Sequence, residues 1–182
     1  MKGKVGFFAV AKKDGSQRLI VDGREPSSCH HHPPHTELGT VSSLSGLDLG
    51  SASDPHGATL DLVDGFYQHT NRRMGSWFCC PWPESAEFWG VDSYYDEDLG
   101  RLVDCSPDTP LFFCFEGLAM GWSWGLYFCQ ASLERSVRLG LARAFGHSGQ
   151  TLKDKRPSPL LAVGSPVSSV YVDNAIVLGC DK

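Results

Sequence analysis

Two aspartates of this chain, Asp61 and Asp173, lie in settings where a carboxylate can do chemistry. Asp173 sits inside the apolar run Ser169-Val170-Tyr171-Val172-Asp173-Asn174-Ala175-Ile176-Val177-Leu178. Two short halves rich in β-branched residues flank an Asp-Asn pair that can turn the chain, which predicts a tight β-hairpin with a carboxylate at its tip. A hairpin tip is rigid and exposed, and so suits a metal ligand, although many hairpins carry Asp-Asn merely to turn. Asp61 supplies the partner, in Thr59-Leu60-Asp61-Leu62-Val63-Asp64-Gly65-Phe66-Tyr67-Gln68. Leu60 and Leu62 share one face of a strand and Asp61 points to the other. The strand reads as buried, and burying an unpaired carboxylate is costly, so a metal or a cation is expected beside it. The plainer alternative for Asp61 is a strand-end cap. Asp61 and Asp173 meet if their strands are neighbours in one sheet. Two carboxylates converging on divalent ions about 4 Å apart serve in-line phosphoryl or nucleotidyl transfer by clamping the attacking and leaving oxygens. Hard Mg²⁺ prefers such oxygen ligands and keeps several waters.

These segments resemble the palm motifs of reverse transcriptases, the RNA-directed DNA polymerases of retroelements. Leu60 to Gln68 is similar to the first palm motif. Gly117-Leu118-Ala119-Met120-Gly121-Trp122-Ser123-Trp124-Gly125-Leu126-Tyr127-Phe128-Cys129-Gln130 is similar to the second. Tyr171-Val172-Asp173-Asn174 is similar to the third, usually Tyr-x-Asp-Asp. Upstream, Phe8 to Glu25 resembles the fingers hairpin that covers the incoming nucleotide. Each motif alone is weak, and the ordered set of four across nearly the whole chain is what carries the resemblance.

The resemblance implies an α+β fold of polymerase fingers and palm, with an antiparallel palm sheet packed on helices. Fingers would cover about residues 1–55 and 76–116, and palm about 56–75 and 117–182. It implies Asp61 and Asp173 as catalytic carboxylates, and Asp61, Leu62 and Asp173 as ligands of Mg²⁺ or Mn²⁺. Lys12 and Arg18 would meet the triphosphate, where an Arg fork and a Lys point charge suit phosphate oxygens; the alternative is surface charge on a hairpin. Asp64, Gly65, Phe66, Met120 and Gly121 would line the nucleotide. Phe66 would stack under the sugar and exclude a ribose 2′-hydroxyl, a role compatible with core packing. Gly121 would let a ligand backbone or base come close. Trp122 and Trp124 read as packing residues. Implied partners are deoxynucleoside triphosphates and an RNA or DNA template-primer.

The sequence departs from the family pattern in ways that bear on activity. Asn174 replaces a second Asp, and a neutral amide weakens a divalent-ion site. Ala119 stands where proline is common, and Gly125 and Leu126 replace residues expected to be Ala or Ser-Pro. The chain stops soon after the third motif, so it reads as truncated before a thumb. Two functions follow: a nucleotidyltransferase that extends a primer 3′-hydroxyl, or an inactive retroelement remnant with at most weak nucleic-acid binding.

Charge is unevenly spread. The formal net charge is −5, unusual for a nucleic-acid binder. Lys2, Lys4, Lys12, Lys13, Arg18 and Arg24 crowd the N-terminal segment, where the functional reading is favoured. Arg135, Arg138, Arg143, Lys153, Lys155 and Arg156 form a second basic stretch, read as solvated surface. Glu84 to Glu116 is acidic, with Asp96-Glu97-Asp98 at its centre. The seven cysteines are odd in number and form no C-x-x-C pair, which fits reduced intracellular thiols better than a disulfide framework or zinc ribbon. Cys29-His30-His31-His32-Pro33-Pro34-His35 lacks a second ligand cluster at finger spacing and reads as a linker. Met1 to Ala11 lacks a clear signal-peptide cleavage site, and no apolar run reaches membrane-spanning length.

The elements that must position these residues follow from periodicity. Val5–Ala11 and Arg18–Val21 predict a hairpin joined by Asp14-Gly15. Pro26 to about Pro55 reads as loop, Thr59–Val63 as strand, Gly65 to about Arg72 as the start of a helix, and Leu111–Phe115 as strand. Leu133, Val137, Leu141 and Phe145 recur at i+4, predicting a helix over Ser123–Phe145 that Gly146 ends. Gly149–Pro166 reads as a polar loop before the last hairpin.

Overall fold

The computed structural model describes residues 2–50 and 54–180. Its elements run β1 (Phe7–Ala11), β2 (Gln17–Val21), α1 (Arg24–Cys29), α2 (Val41–Ser45), β3 (Pro55–Asp61), α3 (Arg72–Gly75), β4 (Glu84–Ser85) and α4 (Ala86–Trp89). They continue with β5 (Ser93–Asp96), β6 (Arg101–Asp104), β7 (Pro110–Leu111), α5 (Ser123–Phe145), β8 (Gln150–Leu152), β9 (Val167–Tyr171) and β10 (Asn174–Cys180). The fold is thus mixed α and β with several small sheets. Two units share the chain: residues 1–32 with 66–125, and residues 33–65 with 126–182.

The first unit is built on short antiparallel ladders. β1 pairs β2 with Phe7 opposite Val21 and Ala11 opposite Gln17. The turn between them places Gly15 at φ +83°, a backbone state that costs glycine little. Two further ladders, β4 with β7 and β5 with β6, occupy the stretch between residues 84 and 111. The core of the unit gathers Val5, Val21, Phe78, Ala119 and Trp122. Phe78 and Trp122 meet edge to face, with ring centroids 5.4 Å apart, a geometry that suits the ring quadrupoles. Trp122 and Trp124 are both packing residues of this core, as their sequence setting suggests.

The second unit is a four-stranded sheet of order β3-β10-β9-β8 with α5 packed on it. The i+4 stripe makes that packing: Leu133, Val137 and Leu141 are buried against Val170 and Ala175. The helix has the bounds its periodicity predicts, and Gly146 follows it at φ +78°, the left-handed state that commonly ends helices. Phe145, the last member of the stripe, is 51% exposed, so the apolar contact ends one turn before the helix does. A smaller core of Leu152, Leu161, Val167 and Cys180 closes the far end of the sheet.

Several elements differ from the sequence expectation. Pro26 to Pro55 is not all loop: α1 carries Pro26 within it, and Thr40 caps α2 by accepting from the Ser43 amide. The segment after Asp61 turns rather than starting a helix, and α3 is a single turn from Arg72. Leu111–Phe115 forms a strand only at Pro110–Leu111 plus an isolated bridge at Cys114, because partner strands there are two residues long. Gly149–Pro166 contributes β8, parallel to β9, since Leu152 buries its side chain in the small core. The ring of His30 lies edge-on to Trp77 and Trp122 at centroid distances of 4.7 and 5.4 Å.

Candidate active site

Asp61 ends β3 and Asp173 sits in the turn between β9 and β10. β3 and β10 are adjacent and antiparallel, with Asn174 directly opposite Asp61. Across the hairpin Asn174 also faces Tyr171. One backbone bond ties the two segments at the aspartates themselves: the Leu62 amide donates to the Asp173 carbonyl at 2.9 Å. The expected adjacency of the two strands is therefore what the sheet shows.

Two details correct the sequence reading. The turn residues are Val172 and Asp173, not Asp173 and Asn174; Asn174 is already the first residue of β10. Val172 has φ +58°, while Asp173 keeps a negative φ. Those signs are those of a type II′ turn, which ordinarily places glycine at its first central position. β3 is also not a buried strand. It lies at the sheet edge and is exposed along its length, Asp61 included. Burial therefore places no demand on Asp61 for a counter-charge, and an edge strand tolerates a charged end.

A β-branched residue with positive φ is held only where its surroundings over-determine it. Here the clamp is Gln130. Its Oε1 accepts from the Val172 amide at 2.6 Å, and its Nε2 donates to the Val170 carbonyl at 3.1 Å and to Glu134 Oε1 at 2.9 Å. Gln130 is 2% exposed and the Val172 side chain is itself buried. The role of Gln130 was not read from the sequence, yet a signal existed: it lies on the same face of α5 as Leu133 and Val137. A polar residue on an apolar stripe must find partners. Cys129, also buried, has its thiol pushed up by burial and, secondarily, by the charge of Asp173.

The immediate neighbours of Asp173 are set by small groups. Gly65 is buried, and a Cβ there would lie 3.1 Å from the Asp173 Cβ and 3.3 Å from the Leu62 Cβ. Asp64 takes φ +52°, which Asp tolerates better than most residues, and the Gly65 amide donates to the Leu62 carbonyl at 3.2 Å. Asn174 Nδ2 donates to Asp173 Oδ1 at 3.0 Å, so one carboxylate oxygen already has a partner. Among the described residues no group of three or more His, Cys, Asp or Glu side chains is placed to hold a metal ion.

The remaining expected site residues belong to the first unit. Lys12 lies just beyond β1 and Arg18 within β2, opposite Val10; both are exposed. Among the described residues neither forms an ion pair, Lys12 acting on Asp14 only through space, whereas Lys2 pairs Glu97 and Arg24 pairs Asp22. In the second basic stretch Arg156 pairs Glu37, and Lys153 pairs both Glu37 and Glu134. Phe66 is buried, its carbonyl accepting from the Leu118 amide at 3.3 Å. Gly121 is needed by the chain itself: a Cβ there would lie 2.8 Å from the Val21 carbonyl oxygen and 3.0 Å from the Gly23 nitrogen. Met120 is 37% exposed.

No protein-family model and no curated protein matches the sequence. Among solved structures the chain is similar to a foamy viral protease-reverse transcriptase solved in complex with double-stranded DNA, at 14% identity and a TM-score of 0.51, covering 100% of this chain and 23% of that one. It is also similar to the prototype foamy virus protease-reverse transcriptase, in its native form and as a CSH mutant, at 16% identity and TM-scores of 0.47. The chain thus spans about a quarter or less of the length of these proteins. At such identities the likeness to the DNA-bound structure is one of fold: this chain has a reverse-transcriptase-like fold.

Proposed function

We propose that this chain is the nucleotidyl-transfer part of a reverse-transcriptase-type polymerase, weakened at its third acidic position. The observation that carries the reading is the placement of Asp61 opposite Asn174 on neighbouring strands, with Asp173 in the adjoining turn. Asp61 and Asp173, with the second lone pair of the Leu62 carbonyl, make a hard oxygen donor set that fits Mg²⁺ or Mn²⁺. Bound there, such ions would neutralise phosphate charge and favour the primer hydroxyl as a nucleophile. The chain's own residues supply position. Gln130 and the buried Val172 fix the turn that carries Asp173, and Gly65 leaves room for its side chain. Lys12 and Arg18, which form no ion pair among the described residues, are the proposed triphosphate contacts. Deoxynucleoside triphosphates and a template-primer are the proposed substrates; the solved relative with double-stranded DNA supports the latter.

A second reading, an inactive remnant, is favoured by one observation: Asn174 is neutral and its amide holds an Asp173 oxygen that a cation would use. Primer extension separates the two. With Mg²⁺ and with Mn²⁺, the parent chain is expected to extend a primer very slowly, Asn174→Asp faster, and Asp61→Asn not at all. Robust extension by the parent that survives Asp61→Asn would sink the proposed site. Equal, null activity in all three proteins would support the remnant reading.

A further inference from the structure

Cys79 and Cys114 are partners in an isolated antiparallel bridge within the first unit. The hydrogen bonds on either side of the pair run from the Cys80 amide to the Phe113 carbonyl, 2.8 Å, and from the Phe115 amide to the Phe78 carbonyl, 3.0 Å. Cys79 and Cys114 therefore exchange no backbone bond with each other. This is the closer of the two antiparallel pair types, with Cα atoms about 4.5 Å apart and side chains on one face. A disulfide needs Cα atoms about 4.4–6.8 Å apart, so the register brings the pair within range without backbone movement. Gly75 gives a second, independent bearing on the side chains. Cys79 Sγ donates to the Gly75 carbonyl at 3.2 Å, and a Cβ at Gly75 would lie 3.6 Å from the Cys114 Cβ. Both cysteines thus abut one residue.

We propose that Cys79 and Cys114 are an oxidative modification site: a dithiol that a low-molecular-weight disulfide converts to a cross-strand cystine. Each thiol leans on a nearby carbonyl, Cys79 Sγ on Gly75 at 3.2 Å and Cys114 Sγ on Phe112 at 3.6 Å, so neither is committed to a partner it could not leave. The two thiols interact, which holds Cys79 below the ordinary thiol range and, with burial, pushes Cys114 up. Cys79 is buried and Cys114 half-buried, so the Cys114 sulfur is the one an outside disulfide can reach. Cys79, the lower of the two thiols, takes the Cys114 proton as the Cys114 sulfur attacks one sulfur of glutathione disulfide, forming a mixed disulfide and releasing one glutathione thiolate. Cys79, deprotonated in turn, attacks the Cys114 sulfur and releases the second. Two protein thiols are oxidised, one glutathione disulfide is reduced to two glutathiones, and the two protons leave with them. The new bond would close the loop from Cys79 to Cys114, which carries β4, α4, β5, β6 and β7.

The test uses the full reduced chain, treated with glutathione disulfide, then unfolded, alkylated and mapped as peptides without reduction. The expected result is the loss of two alkylatable thiols and one crosslink joining the Cys79 and Cys114 peptides. This should form at least about tenfold faster in the folded chain than in urea, because folding supplies the proximity. Cys80→Ser, which leaves the pair intact, should keep the crosslink, and Cys114→Ser should abolish it. Glutathione adducts without a crosslink, a crosslink through Cys80, or equal rates in folded and unfolded chain would each overturn the proposal.

Discussion

At the scale of single residues, the turn at Val172 is a contest between backbone strain and side-chain burial. A β-branched residue in the left-handed region costs about 1–3 kcal/mol. Burying a valine side chain gains about 1.5–3 kcal/mol, and the two terms nearly cancel. What decides the geometry is then Gln130, whose carbonyl oxygen takes the Val172 amide at 2.6 Å. Without it that amide is left unsatisfied in a buried place, at a cost of about 1–3 kcal/mol. Gln130→Leu, similar in size and apolar, is therefore expected to lower stability by about 1–3 kcal/mol. The check is the urea midpoint, with an unchanged dependence on urea showing that the denatured state is not altered. A loss under about 0.5 kcal/mol, the range of an ordinary surface substitution, would mean that the turn holds itself. The strained residue itself could not be anticipated from its type. Val is a strand former, and the Asp-Asn beside it looks the better turn. The pairing of β10 with both β3 and β9 shows that Asn174 belongs to a strand.

Among the elements, α5 shows where sequence patterns inform and where they stop. Its period of 3.6 picks out Leu133, Val137 and Leu141, and those side chains do pack on Val170 and Ala175. The pattern also picks Phe145, which is 51% exposed, because periodicity reports a face of the helix and not how far the sheet beneath it extends. The two positions should thus behave very differently. Leu133→Ala is expected to cost about 2–5 kcal/mol and Phe145→Ala under about 1 kcal/mol, because only the former opens a cavity in the core. Thermal or urea unfolding of the two variants checks it, and equal losses would mean that the helix packs differently along its length. The hairpin of β1 and β2 and the β9–β10 hairpin were legible for a similar reason: alternation and turn residues act locally. The short ladders between residues 84 and 111 were not. They mix aromatics, acids and prolines in runs of two to four residues, too short for either period to register. β3 begins and ends earlier than the expected Thr59–Val63, at Pro55–Asp61, and it is exposed where burial was expected, since Leu60 and Leu62 gave no sign that among the described residues no strand lies on its far side.

For the whole molecule, net charge and local charge point in opposite directions. A chain at −5 repels a phosphate backbone at long range, so any binding must come from cations that the chain does not already neutralise. The ion pairs sort the two basic stretches. Among the described residues Lys2, Arg24, Lys153 and Arg156 form ion pairs with acids, whereas Lys12, Lys13 and Arg18, around the β1–β2 turn, form none, Lys12 acting on Asp14 only through space. Arg156 also holds Glu37 below its usual carboxylate range, as expected of a pair that persists near neutral pH. Salt dependence counts the cations that meet phosphate, at about 0.9 in slope per contact on duplex DNA. A primer-template duplex bound through Lys12, Lys13 and Arg18 should then give a log–log slope of about −3, shallow for a DNA-binding protein. Lys12→Ala should reduce the slope by about 1 and weaken binding evenly across sequences. Arg156→Ala should leave the slope as it was, because its charge is spent on Glu37. Fluorescence anisotropy of a labelled duplex over a salt series measures both. A slope that falls with Arg156→Ala and stays with Lys12→Ala would move the nucleic-acid contact to the second basic stretch and remove the support for Lys12 as a phosphate ligand.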